Sequence, residues 1–304
     1  MTTKKPPIPI PLLMVIGIMA ISFSSIFIKW SDAPASVQGM YRLLFTSLLM
    51  LPFARPHSGA VHKLRRADWV LLIFSGVMLA LHFLLWMGSL SYTSVASSTM
   101  IMALEPVFIM LGAYMLYKEK TAASAMLGVA IAIGGVCFIG WGDIGVSADN
   151  LKGDLLSVGG TAAVAVHMLI SQKLVAQMPS YLYSLIVFSV AAVVFGIYNL
   201  VMGIPFFDYP PKEWGIFLLL AIVPTVFGHL LFNWMMQYLS ATTVSMSILA
   251  EPVVASILAY LLLSENLSKL QWAGGLLVMI GMAVYLWSER KKADPVPSAL
   301  ENAS

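Results

Sequence analysis

Two glutamate-proline pairs, Glu105-Pro106 and Glu251-Pro252, stand in the middle of long apolar runs of the sequence. An ionised carboxylate in a membrane interior costs about 2.5–3.5 kcal/mol or more unless it is hydrated or paired. A proline has no backbone N–H and bends a helix, and a protonated glutamate can cap the carbonyls that the proline leaves free. The pairs are therefore either proton-coupling groups or architectural helix kinks, and the sequence leaves both interpretations open.

Several other polar residues within apolar runs are candidates for binding a small solute. His82 and Trp86 lie one helical turn apart, and Thr225, His229 and Asn233 are spaced to share one face of a helix. A neutral imidazole at membrane depth can hydrogen-bond a ligand, and it titrates near pH 6.5 when its pKa is unperturbed. Each of these residues could instead form a structural hydrogen bond between helices.

Three further candidates are a histidine, a tryptophan and an arginine. His167 lies in the middle of another run, and Trp234, like Trp86, could stack a planar solute. Arg42 either faces a cavity as a counter-charge for a carboxylate substrate or extends its stem toward the membrane surface.

The composition identifies lipid as the solvent of these residues. Of the 304 residues, 60% are hydrophobic and only 10% are charged, and the mean hydropathy is +0.88. Soluble domains carry about 25% charged residues. The composition therefore excludes an ordinary soluble enzyme and a disordered chain, and the single cysteine excludes a disulfide scaffold.

Ten apolar runs are long enough to cross a bilayer as helices. Their continuous apolar character excludes a β-barrel, and the loops between them are too short for a separate domain. The first run is too long for the apolar part of a signal peptide, so we interpret it as a span. The ten predicted spans are residues 11–30, 34–54, 69–88, 94–117, 121–141, 154–176, 180–203, 213–236, 242–263 and 268–288.

The lysines and arginines in the loops, in the tails and at the ends of the spans predict the orientation, and Arg42, inside a span, is left out of the count. With the N-terminus inside, twelve of them lie on the cytoplasmic side and four on the opposite side, namely Lys29, Lys152, Lys212 and Lys269. Because positively charged loops stay in the cytoplasm, we expect both termini there. The expected location is the bacterial plasma (inner) membrane, and we interpret the basic clusters as lipid contacts rather than nucleic-acid sites.

The chain contains an internal repeat with an offset of 146 residues. When residues 92–120 are aligned with residues 238–266, ten of 29 positions are identical, including both Glu-Pro-Val triplets. The predicted organisation is a first repeat at 1–141, a linker at 142–153, a second repeat at 154–288 and a cytoplasmic tail at 289–304. Because five spans is an odd number, the second repeat must enter the membrane from the opposite side. The predicted fold is thus an all-α membrane protein of ten transmembrane helices in two inverted five-helix repeats, an arrangement of secondary transporters.

Both copies of the repeat resemble a known family. The residues Tyr92-Thr93-Ser94 leading to Pro106, and Leu239-Ser240-Ala241 leading to Glu251-Pro252, are similar to the EamA-type module of the drug/metabolite transporter superfamily. The resemblance implies a ten-span transporter of small metabolites or drugs. The segment from His82 to Trp86 resembles the aromatic amino acid exporters of that family.

The expected function is secondary transport, with export of amino acids or related metabolites by alternating access. Efflux of drugs or planar cations is the alternative, followed by a passive channel or an intramembrane enzyme. No nucleotide-binding glycine loop and no catalytic motif such as H-E-x-x-H is present. We expect a small-molecule substrate, protons as the candidate coupling ion, and no metal, cofactor or nucleic acid; the oligomeric state stays open.

Overall fold

The computed structural model describes residues 8–53, 64–118, 122–141, 148–265 and 269–293. Residues 142–147 of the predicted linker, residues 294–304 of the predicted tail and several of the cytoplasmic cations lie outside these ranges. The described chain is helical and contains no strand. Its α-helices are α1 (Ile10–Trp30), α2 (Ala35–Met50), α3 (Arg66–Ser89), α4 (Val95–Met102), α5 (Glu105–Tyr117), α6 (Ala123–Trp141), α7 (Ala148–Val175), α8 (Ser180–Val201), α9 (Pro211–Leu220), α10 (Leu231–Met235), α11 (Ala241–Ile248), α12 (Glu251–Leu263) and α13 (Lys269–Ala293).

Six helical segments of the described chain are long and apolar enough to cross a membrane: Ile10–Trp30, Arg66–Ser89, Leu151–Val175, Ser180–Val201, Pro211–Met235 and Ala241–Leu263. Shorter apolar helices occupy parts of three further predicted spans. The helix α2, in the second predicted span, has 16 residues and is followed by a 3-10 turn at Leu51–Phe53. The all-helical membrane class is therefore confirmed, whereas the count of ten spans stays a prediction.

The two glutamate-proline pairs mark the same helix interruption in both repeats. Two turn residues separate α4 from α5, and two separate α11 from α12, so that Glu105 and Glu251 each begin a helix with proline as the next residue. The residues that directly follow α5 and α12, Lys118 and Ser264, both adopt left-handed backbone angles, with φ of 56° and 58°. These four features are related by the offset of 146 residues, so the sequence repeat is also a repeat of backbone geometry.

The helix contacts follow the same correspondence. The contact of α1 with α12 has its counterpart in the contact of α7 with α5, and α4 packs on α12 as α11 packs on α5. Each of these contacts joins one repeat to the other. The hydrophobic core is therefore built between the repeats rather than separately within each of them.

The helices α6 and α13 pack with their backbones in close approach, and they are antiparallel. A Cβ atom at Gly128 would lie 2.7 Å from the carbonyl oxygen of Gly281, and one at Gly135 would lie 2.6 Å from that of Gly274. Residue numbers rise along one helix as they fall along the other. Because Gly274 and Gly281 are the repeat partners of Gly128 and Gly135, exchanging the two helices reproduces the same contacts. Absent side chains allow this approach of the two backbones.

We expect Gly135→Ala to lower the melting temperature of the detergent-purified protein. In a helix, alanine is favoured over glycine by about 1 kcal/mol, but at this position the new Cβ would meet backbone atoms of α13 within 2.7 Å. Overpacking of this kind costs about 1–3 kcal/mol. Gly134→Ala is the matched control, because nothing lies within 4 Å of its Cβ position. Equal melting temperatures for the two variants would contradict the tight α6–α13 contact.

A π-helical segment, Ala221–Leu230, connects α9 to α10 and contains Pro224. The proline cannot donate a backbone hydrogen bond. The hydroxyl of Thr225 donates to the carbonyl of Leu220 at 2.7 Å. The segment packs against α1 and α2, and π-helical turns are frequent at functional sites.

Candidate functional site

A cavity lies where the two repeats meet, with about 540 Å³ of atom-free space that is partly open to solvent. Its walls come from α1, α3, α7, α10 and the π-helical segment, and from the points where α4 meets α5 and α11 meets α12. The polar lining residues are Ser24, His82, Trp86, Glu105, His167, His229, Asn233 and Glu251. The others are Ile21, Met102, Val164, Met168, Phe232, Met236 and Ile248.

Two of the cavity histidines, His82 and His229, face each other from different repeats. Their ring centroids are 6.4 Å apart, and the ring of His82 also lies parallel to Trp86, at 6.0 Å and 2°. The Nδ1 atom of His82 lies 3.0 Å from the carbonyl oxygen of Gly160. Since a carbonyl only accepts, Nδ1 carries the proton, and Nε2 of the neutral ring is left as an acceptor.

The third histidine, His167, is held by a chain of hydroxyl groups. Its Nδ1 atom lies 2.9 Å from Oγ of Ser75, which in turn lies 2.6 Å from the phenolic oxygen of Tyr183. These contacts come from α3 and α8, so three helices orient the ring.

Asn233 is positioned in a similar way by two serines. Its carbonyl oxygen accepts from Ser171 at 3.3 Å, and its amide group donates to Ser184 at 3.1 Å. A side chain bonded at both ends is held in one orientation toward the cavity it lines.

Arg42 lies behind the cavity wall and is fully buried. Its Nε atom donates to Thr225 at 2.6 Å, and Nη1 donates at 3.0 Å to Ser24, a lining residue. The guanidinium lies 4.2 Å from the ring centroid of Phe83, a cation–π contact. Nη2 has no hydrogen-bond partner, and within the described residues Arg42 forms no ion pair. The hydrogen bonds of this buried cation go only to hydroxyl groups, and Glu251 lies near enough to attract it without forming an ion pair.

The tertiary structure sorts the predicted site residues into four groups. His82, Trp86, His167, His229, Asn233, Glu105 and Glu251 line the cavity. Thr225 and Arg42 bond to each other behind it, whereas Pro106 and Pro252 line a second, smaller cavity. Trp234 is not among the lining residues, and its ring packs instead on Tyr238, with centroids 4.9 Å apart.

Comparison with known proteins agrees with the internal repeat. The model of the EamA-like transporter family matches the chain twice, over residues 8–141 and 151–287. The chain belongs to the EamA-like transporter family. It is 25% identical over 255 residues to YwfM of Bacillus subtilis, an uncharacterized transporter, with 84% of this chain and 85% of that protein covered. It is also 25% identical over 240 residues to the uncharacterized transporter sll1164 of Synechocystis, with 73% and 67% covered.

A solved crystal structure shares the fold of this EamA-like transporter. The two superpose with a TM-score of 0.74 at 16% sequence identity, covering 92% of this chain and 98% of the other. The family and the names of its relatives indicate a multi-pass membrane transporter rather than an enzyme. Within the described part of the chain, no group of three or more histidine, cysteine, aspartate and glutamate residues could hold a metal ion.

In this EamA-like transporter the polar lining of the cavity is asymmetric between the repeats. At the offset of 146 residues, Ser24 corresponds to Ile170, and His167 corresponds to Ile21. His82 corresponds to a glycine, Trp86 and His229 to phenylalanines, and Asn233 to a methionine. Glu105 and Glu251 are the exception, because they correspond to each other.

Sequence reasoning missed the residues that hold the site in place. Ser24, Ser75, Ser171 and Ser184 are small hydroxyl residues, which are common in membrane helices and give no signal of their own. Tyr183 was also missed. The mismatch of Ser24 with Ile170 across the repeat is a signal that could have identified Ser24.

Proposed function

We propose that this protein is a secondary transporter that exports small metabolites, namely amino acids or related compounds, by alternating access. The predicted ten spans and the cytoplasmic position of both termini belong to this proposal, as does the plasma membrane as its location. The chain contains no nucleotide-binding glycine loop, so the energy for transport comes from solute or ion gradients.

The asymmetric cavity is the observation that carries the proposal. A small metabolite has no two-fold symmetry, so groups that recognise it should differ between two repeats that otherwise share a fold. Apart from the two glutamates, the polar residues that line the cavity have an apolar counterpart in the other repeat. The hydrogen bonds of His82, His167 and Asn233 hold these groups in defined orientations before a solute enters.

The antiparallel α6–α13 pair supports alternating access. Related helices that run in opposite directions are expected if the second repeat is inverted in the membrane. In transporters with inverted repeats, the two repeats can exchange conformations, which opens the same site first to one side and then to the other. The helix contacts that recur between the repeats provide the paired interfaces such an exchange needs.

The charges around the cavity favour a zwitterionic solute. Arg42 has one unpartnered guanidinium nitrogen and is bonded to a lining serine, so it can attract a carboxylate. Glu105 and Glu251 offer carboxyl oxygens to an ammonium group, and the stacked rings of Trp86 and His82 offer a flat face. Planar cations are the second candidate, because the Oε1 atom of Glu105 has no hydrogen-bond partner.

Counterflow in proteoliposomes tests the proposal. Vesicles containing the purified protein are loaded with an unlabelled amino acid or planar cation, and transient accumulation of the labelled compound is measured. We expect saturable overshoot for amino acids and none in protein-free vesicles. A channel shows no overshoot, and an enzyme would return chemically altered label, so either of these results would contradict the proposal.

We expect Trp86→Ala to reduce counterflow of aromatic amino acids at least tenfold, mainly through a raised KM. The side chain is 2% exposed, lines the cavity and lies parallel to His82. Loss of one aromatic stacking contact is worth about 0.5–1.5 kcal/mol beyond its buried area. Trp272→Ala is the control, because Trp272 is 56% exposed. Aromatic transport that is equal in the two variants would remove Trp86 from the binding site.

A further inference from the structure

The second cavity is lined by five pairs of residues that correspond across the repeat. It has about 230 Å³ of atom-free space and lies between the two helix interruptions. Its pairs are Thr99 with Ser245, Met102 with Ile248, Ala103 with Leu249, Glu105 with Glu251 and Pro106 with Pro252. This cavity is therefore symmetric in its lining, in contrast to the asymmetric main cavity.

We infer that this symmetric cavity binds a small monovalent cation between Glu105 and Glu251, and that this cation is exchanged for the transported solute. A metabolite with chemically different ends cannot make the same contacts with two equivalent cavity walls. A proton or Na⁺ has no head or tail, and it carries the single positive charge that two carboxyl groups can share. The exchange part of this inference rests on the transport function proposed above.

The chemistry of the cavity walls fits a cation. Glu105 is 4% exposed and Glu251 is 8% exposed, and the Oε1 atom of Glu105 has no hydrogen-bond partner. Neither glutamate forms an ion pair with a described lysine, arginine or histidine, and Arg42 attracts Glu251 only from a distance beyond that of an ion pair. An ionised carboxylate in this position is unfavourable unless a cation accompanies it.

The remaining polar atoms of the cavity are also placed to accept rather than to donate. The hydroxyl of Thr99 donates to the carbonyl of Val95 at 2.8 Å, and that of Ser245 donates to Thr242 at 3.0 Å. Their oxygen lone pairs are left for a ligand. Pro106 and Pro252 have no N–H to give to the backbone carbonyls four residues earlier. Oxygen acceptors without competing donors suit a small hard cation.

The two cavities share four lining residues, which explains how binding of the cation and binding of the solute would exclude each other. Glu105, Glu251, Met102 and Ile248 line both. An ammonium group that enters the main cavity would use the same two carboxyl groups as the cation. Binding of one therefore releases the other, and this competition produces exchange rather than joint transport.

Other titratable and charged groups face the glutamates from the neighbouring helices. His167 on α7, His82 on α3 and His229 on the π-helical segment line the main cavity, and Arg42 on α2 lies behind it. The helices α4 and α11 contribute no ionisable side chain. The variants that test the inference must therefore separate the glutamates from the histidines.

The first test uses imposed gradients in proteoliposomes. A proton gradient in one arm and a Na⁺ gradient in the other should drive accumulation of an amino acid, and the active arm identifies the cation. For one-to-one exchange, a tenfold gradient gives up to about tenfold accumulation. Wild-type protein that shows counterflow but responds to neither gradient would overturn the inference while leaving the transport function intact. Wild-type protein without counterflow for any solute would instead overturn the proposed function.

The second test uses Glu105→Gln and Glu251→Gln. Because the two positions are equivalent, each variant should lose gradient-driven accumulation to the same extent, whereas Asp149→Asn, an exposed acid on α7, should retain it. A readout that does not require transport is the release of a proton on solute addition, or the rise in melting temperature with Na⁺. We expect both signals to be lost with Gln at both positions. Coupling that survives in both single variants would assign the cation to another group and overturn the inference.

Discussion

Replacing Arg42 with glutamine is expected to lower kcat/KM for solutes that carry a carboxylate by about tenfold to a hundredfold or more. Arg42 donates a hydrogen bond of 3.0 Å to Ser24, a residue that lines the solute cavity. A charge-assisted pair with a carboxylate is worth about 1.5–3 kcal/mol or more in a desolvated site. Glutamine keeps hydrogen-bonding atoms but has no charge.

Energetics argue against a purely structural role for Arg42. Removing a cation from water costs several kcal/mol, and this cost is recovered only with good ionic partners. The hydrogen-bond partners of Arg42 are two hydroxyl groups. The ring of Phe83 adds a cation–π contact worth about 2 kcal/mol when desolvated, and Glu251 attracts Arg42 without forming an ion pair. We therefore expect Arg42→Gln to melt at a temperature equal to or above that of the wild type.

Substrate analogues distinguish the charge of Arg42 from its shape. The wild type should prefer an amino acid to its carboxamide, and Arg42→Gln should lose this preference. Arg42→Lys should retain part of it, because lysine keeps the charge but not the planar fork. If the preference for the carboxylate is unchanged in Arg42→Gln, Arg42 does not contact the solute. A large fall in melting temperature would instead assign it to the fold.

Replacing Glu213 with alanine is expected to destabilise the protein by about 3 kcal/mol or more, since a hydrogen bond to a charged group is worth about 1.5–3 kcal/mol. Glu213 lies in the first turn of α9 and is 1% exposed. Its carboxylate accepts from the hydroxyl of Ser31 and, at 3.1 Å, from the backbone N–H of Asp32. These two contacts tie the end of α1, in the first repeat, to the beginning of α9, in the second.

The neighbouring ion pair is the control for Glu213. Lys212 bonds Asp32 at 3.2 Å, but the two side chains are 57% and 88% exposed. An exposed pair contributes about 0–1 kcal/mol, so Lys212→Ala should barely change the melting temperature. The melting temperature of Glu213→Gln should lie between those of Lys212→Ala and Glu213→Ala, because glutamine keeps one acceptor oxygen. Equal falls in melting temperature for Lys212→Ala and Glu213→Ala would show that the buried carboxylate does not join the two helices.

The membrane class and the repeat were predictable because they depend on properties that are local or periodic. Long apolar runs require lipid whatever their packing, and the offset of 146 residues relates equivalent positions without any knowledge of their contacts. The prolines after Glu105 and Glu251 likewise predict a disturbed helix, because a missing N–H acts on the helix that contains it. The apolar counterparts of His82, His167 and His229 at the same offset can also be read without the structure, and they favour an asymmetric site.

Which of the candidate side chains line the cavity was not predictable, because this depends on how each helix is rotated about its axis. Trp86 and Trp234 are equivalent candidates by sequence, but only Trp86 lines the cavity. Thr225, His229 and Asn233 share a face in a regular α-helix, yet Thr225 bonds Arg42 while the other two line the cavity. The π-helical segment that contains Thr225 and His229 changes the spacing of side chains around the axis, and its packing on α1 and α2 sets its rotation.

Hydropathy and repetition predict a helical membrane protein with a duplicated module, because both are carried by residue types and their spacing, and the motifs of the two copies indicate a transporter through their resemblance to a family. The bond between Arg42, in the first repeat, and Thr225, in the second, is visible only in the packed structure. The same holds for the symmetric cavity that the repeated glutamates line beside the asymmetric one. These features join residues that are distant in the chain, and their positions follow from the packing of one repeat on the other.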